Sequence, residues 1–238
     1  MKPEIKEKFK AEREPPVVTP KTEKQREYFR LLEDPEIQAI VCLGYHGTGK
    51  TYCAGVVAAD KFRKNEITKI IVARAYVQTG NTSGFKPGTS LQKLYPYVRN
   101  VLDTIKSRIG AGAYEVALRD GESGEIEVQE VESIRGRSFD QPSFLIIDEA
   151  QQTTPEEMQS IVTRVSDNCK LVLCGDILQK DIHGQCGLEW FLSFAKRHGL
   201  KGVGIVDFDS PDDIVRGGLV KAIAVGMMKD RDSQAVLQ

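Results

Sequence analysis

The chain has 238 residues, of which 40% are hydrophobic and 28% charged, ordinary globular proportions that exclude a disordered or fibrous chain. Its 33 basic and 34 acidic side chains leave a formal charge of −1, which removes the bulk electrostatic case for a generally cationic nucleic-acid binder and leaves room for a local basic groove. No run approaches the roughly 18 apolar residues that a membrane span needs and the amino terminus has no apolar signal core, so a soluble, cytoplasmic protein with no membrane partner is expected. The five cysteines are odd in number, and Cys42, Cys53, Cys169 and Cys174 sit within or beside apolar runs, as reduced core thiols do. Three scattered histidines are too few to build a zinc site.

In chain order, residues 1–20 mix both charges with four prolines and are expected as a mobile tail or strap. A helix follows, with Thr22 as its cap, Gln25 three residues on, Tyr28, Phe29 and Leu32 as its apolar stripe, and Asp34-Pro35 as its stop. The runs IQAIVCL, TKIIVA, EIEVQEV, SFLIID, CKLVLCGD and VGIVDF then alternate with helical stretches. That alternation predicts one α/β domain over residues 21–228, a mainly parallel sheet with helices on both faces, and a tail at 229–238. Leu188, Phe191, Leu192 and Ala195 have the spacing of a buried helix face, and Trp190 lies off it, available to a partner subunit. An insertion around 107–130 carries Asp-Gly and Ser-Gly turn signals and reads as a small hairpin-like excursion.

The first strand runs into GYHGTGKT, which fits G-x-x-x-x-G-K-[ST] between a strand and a helix. Gly44, Gly47 and Gly49 let the backbone amides of Tyr45, His46, Thr48 and their neighbours bend toward a phosphate, and the helix behind presents its positive end. Lys50 neutralises β and γ phosphates, and Thr51 offers its hydroxyl to Mg²⁺. In FLIIDEAQ, Asp148 at the strand's end is a second candidate for Mg²⁺, and Glu149 is the candidate base for an attacking water. Adjacent carboxylates favour an ATPase over a small-molecule kinase. Thr154, Pro155 and Glu157 read as a capped helix start. After the next strand, Gln179 in CGDILQ is a candidate sensor of the γ phosphate. Arg74, with Thr79, Asn81, Thr82, Ser83, Lys86 and Lys93 after it and Tyr76 and Phe85 as stacking surfaces, reads as a polynucleotide-tracking segment, a solvent loop or a subunit interface.

The order GYHGTGKT, FLIIDEAQ, CGDILQ resembles the first motor half of superfamily 1 helicases. Together with TSGFKPGTSLQKLYPYVRNVLD, SIRGRSFDQPSFLIIDEAQQTTPEEM and DIVRGGLVKAI, it is similar to the PhoH family of ATPases over roughly residues 20–228. The resemblance implies a RecA-like P-loop domain that binds and hydrolyses ATP with Mg²⁺, assembles into homo-oligomeric rings such as hexamers, and acts in RNA metabolism. It further implies that Gln25 reads adenine, that Arg216, where it does not pair with Asp212 or Asp213, is an arginine finger for its own or a neighbouring subunit, and that Arg135 and Arg137 are alternatives for the finger or for polynucleotide contact. Gly217 and Gly218 depart from the His and Pro that the family tends to carry after that arginine. The leading expectation is an Mg²⁺-dependent ATPase coupled to single-stranded RNA or DNA, RNA favoured. The alternatives are a nucleotide-gated binding or assembly module with little turnover and, behind it, a small-molecule phosphotransferase.

Overall fold

The computed structural model describes residues 2–11, 14–75, 90–118, 124–134 and 137–235. The six apolar runs become β1 (Ala39–Gly44), β2 (Lys69–Arg74), β3 (Ile126–Glu130), β4 (Ser143–Asp148), β5 (Cys169–Gly175) and β6 (Val203–Phe208). They form one sheet in the order β3-β2-β4-β5-β1-β6, and every pairing is parallel. A parallel strand is covered on both sides, so alternate residues of one run serve two cores. Ile40, Cys42, Ile70, Val72, Phe144 and Ile146 face one of them; Val41, Leu43, Ile71, Leu145 and Ile147 face the other.

The first core lies under α1 (Pro3–Ala11), α2 (Glu23–Glu33), α3 (Lys50–Arg63), α4 (Ser90–Ile109) and α5 (Ala111–Ala117). The second lies under α6 (Val131–Ile134), α7 (Pro155–Val162) and α8 (Gly187–His198). Side chains such as Phe62, Phe144 and Phe208 are fully buried, each contributing about 1.5–3 kcal/mol relative to exposure. The capping signals of α2 and α7 are realised, with Thr22 accepting from the Gln25 amide and Thr154 and Glu157 forming a reciprocal box. All five cysteines are free and buried. Trp190 stacks within its own helix on Phe194, ring centroids 5.2 Å apart, so part of the face left for a partner is covered internally. Among the described residues no helix is long and apolar enough to cross a membrane.

Three stretches differ from the expected organisation. Within the amino-terminal segment, α1 docks: Ile5 is fully buried and Phe9 meets Phe62 edge-on at 6.0 Å. At the other end α9 (Gly218–Ala235) runs through the boundary expected at 228, because its sequence contains no proline and only two glycines. The 107–130 insertion holds no hairpin among the described residues. Ala113, Tyr114 and Ala117 bury a helical face, forming α5, and β3 then adds in parallel to the edge of the sheet.

Beside that edge Glu127 is fully buried, and its carboxylate accepts from Lys69 at 2.6 Å and Arg137 at 2.5 Å. A carboxylate without water requires such partners. Arg137, expected as an alternative finger or polynucleotide contact, is therefore engaged in holding the approach to β4 against β3; Arg135 lies outside the described residues.

Candidate functional site

Because all strands run one way, the ends of β1, β2, β4 and β5 gather at one edge of the sheet, where open α/β sheets bind ligands. From β1 the chain turns at Gly44, whose φ is 121°; a Cβ there would stand 2.4 Å from the Phe208 carbonyl oxygen on β6. Gly44→Ala meets both a disfavoured backbone region and an immovable carbonyl. It is expected to cost on the order of 2–4 kcal/mol and to lower the melting temperature by roughly 5–15 °C. An unchanged melting curve would show that this turn is not constrained.

Past Gly47, with φ 86°, the loop reaches Gly49, which starts α3 with φ 91° and no side-chain cap, leaving the first-turn amides of α3 free to bind an anion. Two neighbours fix the loop. Val215 donates its backbone N–H to the Gly47 carbonyl at 3.0 Å. Gln25, buried on α2, donates Nε2 to the Thr48 carbonyl at 2.8 Å and accepts from the Lys21 amide on Oε1 at 2.8 Å. The side chain expected to read adenine thus ties α2 and the strap before it to the loop. Lys50 Nζ donates to the carbonyls of Gly44 at 2.6 Å and Tyr45 at 2.9 Å.

Opposite the loop, β4 ends in Asp148 and Glu149. Asp148 accepts from Thr51 Oγ1 at 2.9 Å and from Arg74 Nη1 at 3.1 Å. Glu149 takes the left-handed backbone region, φ 52°, uncommon for a residue with a side chain. Its Oε1 accepts from Arg74 Nη2 at 3.4 Å and its Oε2 from Gln151 Nε2 at 2.6 Å. Gln151 accepts in turn from the Asp176 amide at 3.2 Å. Burial, and then the Glu149 charge, raise the Asp148 carboxyl above its usual range; Arg74, Thr51 and Lys50 pull the other way. The Thr51 hydroxyl and Asp148 carboxylate are adjacent hard oxygens, the donor set that suits Mg²⁺ when phosphate and water complete its octahedron. Among the described residues no group of three His, Cys, Asp or Glu side chains could hold a metal unaided.

These groups border a cleft of about 580 Å³, the size range of small-molecule sites. Its wall includes Lys50, Thr51, Arg74, Asp148, Glu149, Asp176 and Arg216, together with Gln25, Phe29 and Val18. Gly47, Gly49 and His46 contribute lining, whereas Tyr45 and Thr48 act through their carbonyls and are not part of the wall. Arg216 lies across its own chain's loop: a Cβ on Gly47 would touch its side-chain carbons at 3.2 Å. The acids that could have paired with it are engaged elsewhere, Asp212 by Lys221 at 2.8 Å and Asp213 by the Ser210 amide. Gln179 does not line the cleft; its amide donates to Asp176 Oδ2 at 2.6 Å, so any influence it has passes through Asp176. Arg74, read as the head of a polynucleotide segment, is instead engaged by both carboxylates, and Lys93 approaches Glu130 at 3.8 Å. Tyr76, Thr79, Asn81, Thr82, Ser83, Phe85 and Lys86 lie outside the described residues. Gln151 was not legible as a site residue, although its position two after Glu149 on a tight turn is a usable signal.

The family model described as PhoH-like protein matches residues 17–227. A PhoH-like protein of Bacillus subtilis (strain 168) is 35% identical over 205 residues, covering 85% of this chain and 61% of that protein. Protein PhoH of Escherichia coli (strain K12) is 34% identical over 201 residues, covering 84% and 55% respectively. The chain spans between half and two thirds of the length of these relatives. Among solved structures, the large terminase of bacteriophage HK97 superposes with a TM-score of 0.54 over 87% of this chain and 46% of that one, at 13% identity, which is a likeness of fold.

Proposed function

The chain belongs to the PhoH family, and on that premise we propose that it is an Mg²⁺-dependent ATPase whose turnover is coupled to single-stranded nucleic acid, RNA in preference to DNA. The observation that carries the reading is the convergence of Lys50, Thr51, Asp148 and Glu149 on one cleft behind a glycine-rich turn and a free helix amino terminus. In this reading the β and γ phosphates lie on the amides of residues 47–51, and Lys50 exchanges its two loop carbonyls for phosphate oxygens. Thr51 and Asp148 would hold Mg²⁺, which when bound neutralises phosphate charge. Glu149 orients a water and takes its proton as the oxygen attacks the γ phosphorus; the bond to the β–γ bridging oxygen breaks, releasing ADP and phosphate. Arg216, lying over Gly47 of the same chain, stabilises charge on the departing phosphoryl group in cis. Gln179 acts as a sensor through Asp176, and Gln25, which lines the same cleft as Val18 and Phe29, reads adenine.

Assembly as a homo-oligomer, such as a hexameric ring, belongs to the same reading. Light scattering with and without ATP tests it, and a strict monomer with full turnover would exclude it. The deciding experiment is phosphate release from ATP and Mg²⁺, alone and with single-stranded RNA or DNA, with Lys50→Ala protein as the blank. Several-fold stimulation, larger with RNA, is expected. Slow hydrolysis indifferent to either polymer would favour a nucleotide-gated assembly module, and a phosphorylated acceptor in place of free phosphate would mark a phosphotransferase.

A further inference from the structure

The Glu149 carboxylate is gripped from two sides, by the turn that follows β4 and by the end of β2. Gln151 holds Oε2 at 2.6 Å and is itself anchored by the Asp176 amide at the end of β5. Arg74, at the end of β2, reaches Oε1 at 3.4 Å with one terminal nitrogen and Asp148 Oδ2 at 3.1 Å with the other. The side chains of Arg74, Asp148 and Glu149 are each only about a fifth exposed, at 22%, 19% and 22%. Two adjacent acids at that depth repel each other, and a planar fork that spans both is the group best shaped to hold them in one arrangement. The fork is itself seated: its central carbon lies 5.3 Å from the centroid of the Tyr97 ring on α4, and Nη1 points at the Tyr97 carbonyl at 3.5 Å.

We propose that Arg74 is a positioning residue for hydrolysis, which fixes the Glu149 carboxylate through Oε1 and makes that orientation depend on the seating of α4 against the end of β2. The inference rests on the reading of Glu149 as the base. In this structure the Arg74 fork faces the two carboxylates, and its effect on turnover runs through Glu149.

The test is a double-substitution cycle read by single-turnover phosphate release, with affinity for a fluorescent ATP analogue measured in parallel. Arg74→Gln is expected to slow turnover roughly 10- to 100-fold, the range for a misplaced catalytic group, while affinity moves less than about threefold. Added to Glu149→Gln, it should slow the residual rate by less than about threefold, because the carboxylate it positions is already gone. Arg74→Lys, which keeps the charge but not the fork, should recover only part of the rate, and Tyr97→Leu, which keeps bulk but removes the ring face, should slow it roughly 3- to 10-fold. A full 10- to 100-fold effect in both backgrounds would overturn the proposal in favour of direct phosphate contact. A faster rate in Arg74→Gln would overturn it in favour of an inhibitory latch. Equal losses of rate and affinity, or a chain that folds only with Arg74 or Lys at the position, together with full activity of Arg74→Lys, would reduce the residue to a structural ion pair. Absence of turnover in the unaltered protein removes the ATPase reading and this inference with it, whereas turnover with multiplicative effects removes this inference alone.

Discussion

Lys50→Ala is expected to leave no measurable phosphate release while the protein stays folded. The ammonium group donates to the carbonyls of Gly44 and Tyr45, both half-buried residues of the loop, so its removal leaves two acceptors that water can reach. The stability change should stay below about 1 kcal/mol. The functional loss is far larger. A charged donor held against the phosphates is worth on the order of 10²–10³ in the chemical step, and its absence further weakens ground-state binding of the triphosphate. Thermal melting compared with phosphate release separates the two effects. Hydrolysis retained within tenfold of the unaltered protein would mean that the glycine-rich turn is not the phosphate site.

Much of the fold was readable because its signal is dense. β1, β2, β4 and β5 are buried on both faces, and their near-continuous runs of Val, Ile, Leu and Ala are what a two-sided parallel strand looks like in one dimension, whereas the edge strands β3 and β6 interleave polar residues. What escaped was structure set by long-range contact. α1 has a weakly patterned, heavily charged sequence, and its docking rests on distant partners, the pocket that accepts Ile5 and the Phe62 edge and Arg63 guanidinium that meet Phe9. In α5 the Ala- and Gly-rich run AGAYEVA has no strong helix start, and the nearby Asp-Gly and Ser-Gly pairs pointed to a hairpin.

Site legibility divides along a similar line. Lys50, Thr51 and Asp148 could be named because backbone geometry and ligand chemistry dictate their types at fixed spacings, and they do share one cleft. Arg74 and Gln25 have neighbours that the sequence does not show. One cation at a strand end does not reveal which strand lies beside it; the register that sets Arg74 opposite Asp148 is a property of the sheet order. Gln25 is held by the Thr48 carbonyl and the Lys21 N–H, contacts 23 and 4 residues away along the chain. Gln179 shows the same limit at short range, since a side chain three residues past Asp176 can fold back on it as readily as face the cleft.

Glu149→Gln should separate binding from turnover more cleanly than any other substitution in the site. Loss of a general base lowers the chemical rate by roughly 10²–10⁴, and the isosteric amide leaves the phosphate loop untouched. Nucleotide affinity should hold within about threefold or tighten, because a negative charge facing the γ phosphate has gone. The same change relieves one of the two causes that raise the Asp148 carboxyl, so Asp148 ionises more readily beside Thr51. A local cost is also expected. Both neighbours of the carboxylate are donors, Arg74 Nη2 on one oxygen and Gln151 Nε2 on the other, whereas an amide offers only one oxygen to accept them. One donor is left facing an NH₂ group, and Gln151, which is fully buried, is the one that cannot turn to water. The amide should therefore point its oxygen at Gln151 and release Arg74, which makes Glu149→Gln the background in which Arg74 has nothing left to position. Binding lost together with turnover would identify Glu149 as a structural acid. Turnover kept at full rate would move the base to Asp176, the remaining carboxylate on the cleft wall.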